Sequence, residues 1–129
     1  MMKKITIRKG QLGLLSRQGD YYQVLDAGEH RLPWFNTPDV LVINTDGSEI
    51  PEALAEYLRR FQPAWVEQYC VVADLTDTEA GALYVNGVLQ EILPPATRRL
   101  YWQADEALKL VRMDTRQVLV PVDVMNAVL

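Results

Sequence analysis

The chain has one histidine, His30, and one cysteine, Cys70, so nucleophilic or proton-transfer chemistry has few side chains to draw on. His30 sits in Gly28-Glu29-His30-Arg31, a corner-like stretch. General acid–base work there would need a nucleophile or an acid at a defined distance, and adjacency to Glu29 does not define one. The residue reads as a polar corner of intermediate burial. Cys70 lies in Tyr69-Cys70-Val71-Val72. A reactive thiolate needs positive, exposed surroundings, whereas apolar flanks suit a small buried hydrophobe. One His and one Cys cannot complete a zinc site of the usual His/Cys type. Asp74, Asp77 and Glu79 gather around Thr76 and Thr78 but lack the spacing of a twelve-residue calcium loop, so a solvated loop is expected. No Gly-x-Gly-x-x-Gly or Gly-Lys-Ser/Thr loop is present to cradle a phosphate. These residues predict no catalytic, cofactor or metal site, and the chain reads as not an enzyme.

Charge narrows the partners. Thirteen Lys and Arg face seventeen Asp and Glu, giving a net charge of −4. Without a dense basic block, a nucleic-acid backbone would be repelled. The 129 residues, 49% apolar and 23% charged, describe an ordinary globular chain, not a disordered one. No run of eighteen apolar residues exists to span a bilayer. The opening Met1-Met2-Lys3-Lys4-Ile5-Thr6-Ile7 is too short and too broken for a secretory signal. A single cysteine excludes an intrachain disulfide and fits a reducing compartment, so the cytoplasm is expected.

The most informative pattern is internal. The stretch from Gln11 to Phe35 aligns without gaps to Glu79–Gln103, 68 positions on. Gly13 meets Gly81, Leu15 meets Leu83, Gly19 meets Gly87, and Leu25 meets Leu93. Arg31 meets Arg99, Leu32 meets Leu100, and Trp34 meets Trp102. Carried further, the same offset sets Val42 on Leu110, Ile43 on Val111 and Asp46 on Asp114. Two glycines, an arginine and a tryptophan in one register point to an internal duplication.

Each copy predicts a small antiparallel β-meander. Asn86-Gly87 between two apolar runs is a strong hairpin signal, and Gln18-Gly19 occupies the same place in the first copy. Third strands should carry Arg31/Leu32 and Arg99/Leu100. Fourth strands should run over 40–44 and 108–112. Pro51, followed by Leu54, Leu58 and Phe61 at helical spacing, predicts one amphipathic helix through 51–69. The expected class is therefore mainly β, within α+β, as two repeat units (1–50 and 70–129) joined by a helix at 51–69. Val118, Val120, Val122 and Val124 alternate with other residues as a half-buried strand, with Pro121 favouring an edge. The apolar finish at Asn126–Leu129 carries no stop signal, and truncation at the C-terminus of a longer protein is expected.

A family resemblance rests on these same residues. Gly13, Gly19, Val24-Leu25, Ala27-Gly28-Glu29-His30, Pro33 and Trp34-Phe35 are its marks in the first copy. Gly81, Gly87, Ile92-Leu93, Pro95-Ala96, Trp102 and Met113-Asp114-Thr115-Arg116 are its marks in the second. Together they resemble the start of the stomatin/prohibitin/flotillin (SPFH, or band seven) domain, in its bacterial slipin form. Ala27 replaces a usual proline, and the first copy lacks the arginine of the closing Asp-x-Arg. The second copy is therefore the better match to a domain start.

The resemblance implies a non-catalytic scaffold that self-associates or holds a protein partner, such as a membrane protease. It would work in the cytoplasm, peripheral to the inner face of the membrane. The usual hydrophobic anchor of the family is not present in this sequence. A monomeric protein- or peptide-binding module with a groove between the β units is the alternative. Arg31, Trp34, Arg99, Trp102, Val118, Val120 and Val122 are the candidate assembly residues. For the arginines and tryptophans, fold maintenance is the competing explanation.

Overall fold

The computed structural model describes residues 2–103 and 108–116. The chain is mainly β, in several small antiparallel sheets. It divides between Ser48 and Glu49 into two compact units.

The first unit contains β1 (Met2–Ile7), β2 (Gln11–Arg17), β3 (Asp20–Leu25), β4 (Gly28–Pro33) and β5 (Asp39–Asn44). Strand β2 lies between β3 and β5, and Gly13 stands opposite both Leu25 and Val42. Its residues Leu12–Ser16 are all buried, as befits a central strand covered on both faces. Gln18 and Gly19 close the β2–β3 hairpin at φ +53° and +85°, the two positive angles of a type I′ turn. Ile7, Leu15, Leu25 and Leu32 form the buried core, with Ile5 and Val40 against it.

Glycine and asparagine take such angles readily, but glutamine does not. Gln18→Asn should therefore stabilise the unit by about 0.5–1 kcal/mol, seen as a rise of a few degrees in the thermal midpoint. An unchanged or lower midpoint would contradict this account of the turn.

The expected meander is not formed. After the hairpin, β4 leaves the β2–β3 pair and runs antiparallel to β1, from Met2 opposite Pro33 to Ile7 opposite Gly28. Gly28 makes the exit possible, with φ +134°, which a residue bearing a Cβ rarely adopts. Strand β5 then returns to the far edge of β2.

A short strand, β6 (Asp46–Glu49), carries the chain across the division. The second unit continues with α1 (Glu52–Phe61), α2 (Pro63–Tyr69), β7 (Cys70–Asp74), β8 (Glu79–Val85), β9 (Val88–Leu93), β10 (Arg98–Gln103) and β11 (Leu108–Asp114). Two helices thus stand where one was expected, and the second closes at Tyr69. Gln62, at φ −134° and ψ 56°, leaves the helical region, its N–H still bonded to the Leu58 carbonyl. Pro63 has no N–H to continue the ladder and starts a new helix at a position where that loss costs nothing. Ala55 and Leu58 are the buried residues of α1, while Phe61, expected on the apolar stripe, is 56% exposed. It stacks instead near Tyr57, with ring centroids 4.9 Å apart.

Strand β8 lies between β9 and β11, and β10 pairs with β7. The β8–β9 hairpin turns through Asn86 and Gly87 at φ +51° and +80°. Its register shifts between Leu83 and Tyr84, as the first hairpin's shifts between Leu15 and Ser16. One detail departs from the ungapped alignment. Gly81 faces Arg112, not Leu110, so β11 stands two residues along from the position that the alignment gave it. Leu110 faces Leu83, as Val40 faces Leu15. A strand repeats every two residues, so a slip of two keeps every side chain on its own face and leaves the hydrophobic pattern unaltered.

Candidate functional site

The candidate residues fall on different elements with different environments. In the first unit Arg31 is exposed on β4, and Trp34 follows that strand 62% exposed, beside Phe35 at 78%. In the second unit Arg99 is half-buried on β10 and Trp102 is 3% exposed. Trp102 is therefore core and offers no surface, whereas Trp34 offers a large one. Val118, Val120 and Val122 lie outside the described residues.

Arg99 is held by several groups at once. Its Nη1 donates to the Glu91 carboxylate at 3.1 and 3.2 Å and to the Tyr101 hydroxyl at 3.2 Å. Glu49 approaches its Nε at 3.7 Å. The bonds to Tyr101 and Glu91 hold the guanidinium charged well above its ordinary range. Burial raises the Tyr101 phenol despite the nearby arginine. On the neighbouring helix, Arg59 makes a two-pronged pair with Asp74, both contacts at 2.7 Å. Arg98 pairs with Glu56.

Arg59, Arg98, Arg99 and Glu56 line a cleft of about 290 Å³ with Glu49, Ile50, Glu52 and Ala55. Each of its arginines already faces a carboxylate, so the cleft has little surplus charge with which to hold an anion. It ties α1 and β9 to β10. Among the described residues, its lining holds no serine, threonine, cysteine or histidine. Elsewhere, His30 Nε2 lies 2.7 Å from the Asp26 carbonyl, a local corner bond. Among the described residues no three His, Cys, Asp or Glu side chains gather closely enough to hold a metal ion, and no helix is long and apolar enough to cross a membrane.

Cys70, half-buried where a buried position was expected, opens β7, and burial pushes its thiol up to about 12, with Arg59 pulling the other way. The unfolded chain begins to lose this proton near the ordinary value, so between about pH 9 and 12 it binds fewer protons than the fold. Stability should fall as pH rises through that window, and Cys70→Ser should flatten the slope. The native thiol should also react with an aromatic disulfide reagent at least about 100-fold more slowly than the unfolded chain at pH 8. Equal rates in the two states would contradict the burial.

The surface that sequence patterning missed is the outer face of the β9–β8–β11 sheet. Val111, Ala82 and Ile92 stand in one row across the three strands, with Ile92 55% and Val111 38% exposed. The next row along β8 is Lys109, Tyr84 and Leu89, with Leu89 49% exposed. Val88 adds a 69% exposed side chain at the hairpin end. Strand β9 is an edge whose residues are exposed up to Leu93. The available signal was the failure of Val88–Leu93 to alternate: adjacent apolar residues at Val88-Leu89 cannot both face one core. No family model, curated protein or solved structure matches this chain.

Proposed function

We propose that this chain is a non-catalytic assembly module made of two copies of one β unit, slipin-like in the SPFH sense, and that it organises protein partners at the cytoplasmic face of a membrane. The duplication is supported by the shared orders β3-β2-β5 and β9-β8-β11, by the pairing of β4 with β1 and of β10 with β7, and by hairpin shifts 68 positions apart. The helices of residues 52–69 precede the second copy's first strand. The observation that carries the assembly reading is the outer face of β9, β8 and β11 with its exposed apolar side chains, bounded by a β9 edge that no other strand pairs among the described residues. A free edge and an apolar face side by side form the surface that another chain covers. The paired arginines support a structural role for the polar cleft, and the resemblance supplies the membrane setting and a membrane protease as a candidate partner.

Light scattering behind gel filtration, on the full chain loaded from about 1 to 300 μM, tests the self-association. A mass that rises with concentration is expected, and Ile92→Lys together with Val111→Lys should lower it at every loading. A monomer at all loadings overturns the reading.

A further inference from the structure

The two copies differ in what lies against one equivalent strand. In the second unit β10 has a neighbour on each edge. Strand β7 pairs along one edge, and on the other Ile50 donates its N–H to the Leu100 carbonyl at 2.8 Å. Helices α1 and α2 also touch β10. Leu100, Tyr101 and Trp102 are consequently buried, at 0%, 3% and 3% exposure. In the first unit β4 pairs with β1 and, among the described residues, with no other strand. Trp34, which matches Trp102 in the alignment, is left 62% exposed there, with Phe35 at 78%. The same aromatic is core in one copy and bare in the other.

The chain that completes β10 follows β5. Asn44, the last residue of β5, faces Gln11, and Ile50 lies six residues beyond it. Asp114, the last residue of β11, faces Glu79, which matches Gln11 in the alignment. Six residues beyond Asp114 is Val120. The dipeptide Ile50-Pro51 returns at that spacing as Val120-Pro121, within the alternating stretch Val118–Val124. An apolar residue that fills the strand edge and a proline that ends the pairing thus recur together. The sequence carries a second donor of this kind, and the structure carries a second acceptor.

We infer that residues 117–124 of one copy add as a strand to the β4 edge of a second copy and cover Trp34 and Phe35, a head-to-tail contact that each added copy repeats. Strand addition satisfies the backbone groups of an exposed edge, and the buried aromatics supply the apolar anchor. Donor and acceptor are different surfaces, so the contact is heterologous and extends or closes into a ring. This inference rests on the self-association proposed above and adds to the face of β9, β8 and β11 a second contact, at the β4 edge.

Two variants of the full chain test it by sedimentation velocity: Trp34→Arg, which spoils the acceptor, and Val120→Asp, which spoils the donor. Each alone should weaken association about tenfold or more relative to the unchanged chain. Mixed in equal amounts, they should pair one-to-one through this contact, because one intact donor and one intact acceptor remain. Phe35→Glu, at an exposed position, serves as a second acceptor variant, and far-ultraviolet circular dichroism checks that each variant folds. Association of the single variants at wild-type strength overturns the inference while leaving the self-association reading in place. So does a mixture that associates no better than its components, since one donor and one acceptor then fail to complement. A monomeric unchanged chain overturns both, whether its own tail or an unrelated partner covers β4.

Discussion

Leu83→Ala is expected to destabilise the second unit by about 2–5 kcal/mol, the cost of a large buried side chain removed from a packed site. Leu83 is 1% exposed and belongs to a core with Ala73, Leu75, Leu93, Tyr101 and Leu108. Val71, Val85 and Leu110 pack against the same cluster. Its position on the central strand β8 places backbone on both sides, Glu91 across one edge and Leu110 across the other. Neither neighbour can swing inward without breaking a ladder, so the cavity stays open and the cost lies well above the bare transfer of the lost methylenes. Leu83→Met, which preserves volume, should cost less than about 1.5 kcal/mol. Leu15→Ala is the internal control. Leu15 holds the matching place in the cluster of Ile7, Leu25 and Leu32, with Ile5 and Val40 against it, a smaller core among the described residues whose rim collapses more easily. Its loss should fall toward the lower end of the range. Urea unfolding gives the sizes, and amide exchange in 79–114 against 11–44 tells which unit opens. Equal losses for Leu83→Ala and Leu83→Met would show that the site is not packed as described.

The contrast between Leu83 and Leu15 also shows what the sequence made legible. The hairpins were readable because Asn86-Gly87 and Gln18-Gly19 encode a turn within four residues. The strands carrying Arg31 and Arg99 were readable because the two aligned segments share their residue types in one register. Strand partners were not. Alternation tells which side chains share a face, not which strand lies alongside, and nothing in Gly28–Pro33 announces that its neighbour is Met2–Ile7. That first strand went unread because its apolar side is only Ile5 and Ile7 among lysines. The two-residue slip of β11 was hidden by the strand period itself. The break at Gln62-Pro63 left one helix or two open, since a proline ends one helix and starts another equally well.

The candidate surface was legible only in part. Trp34 and Trp102 carry the same local signals, yet one is exposed and the other buried. The difference comes from Ile50 and the two helices, which lie on β10 and are distant in sequence from Trp102. A pairwise alignment finds equivalent residues, but their exposure depends on what covers each strand. Arg31 and Arg99 diverge for the same reason: Arg99 meets Glu91, Tyr101 and Glu49, each set in place by tertiary structure. The exposed row of Ile92 and Val111 depends on a register that the sequence left two residues off.

The second large effect is expected at the ion pair between α1 and β7. Asp74→Ala should cost about 2–3 kcal/mol, and Arg59→Met distinctly less. The asymmetry follows from burial. The Arg59 side chain is 15% exposed and the Asp74 side chain 43%. Removing the carboxylate leaves a guanidinium enclosed, which among the described residues has no acceptor at Nε and a weak bond to the Arg99 carbonyl at 3.4 Å. Removing the arginine leaves a carboxylate that water can reach. That water access is why the loss at Asp74 falls below the 3–5 kcal/mol typical of fully enclosed pairs. Methionine also retains most of the arginine stem's packing at Arg59. The double variant should recover part of the Asp74→Ala loss, because no buried charge then remains, and a double-mutant cycle from urea midpoints measures that recovery. If Arg59→Met proved the costlier change, the stem of Arg59 and not its charge would be what fastens α1 to the sheet.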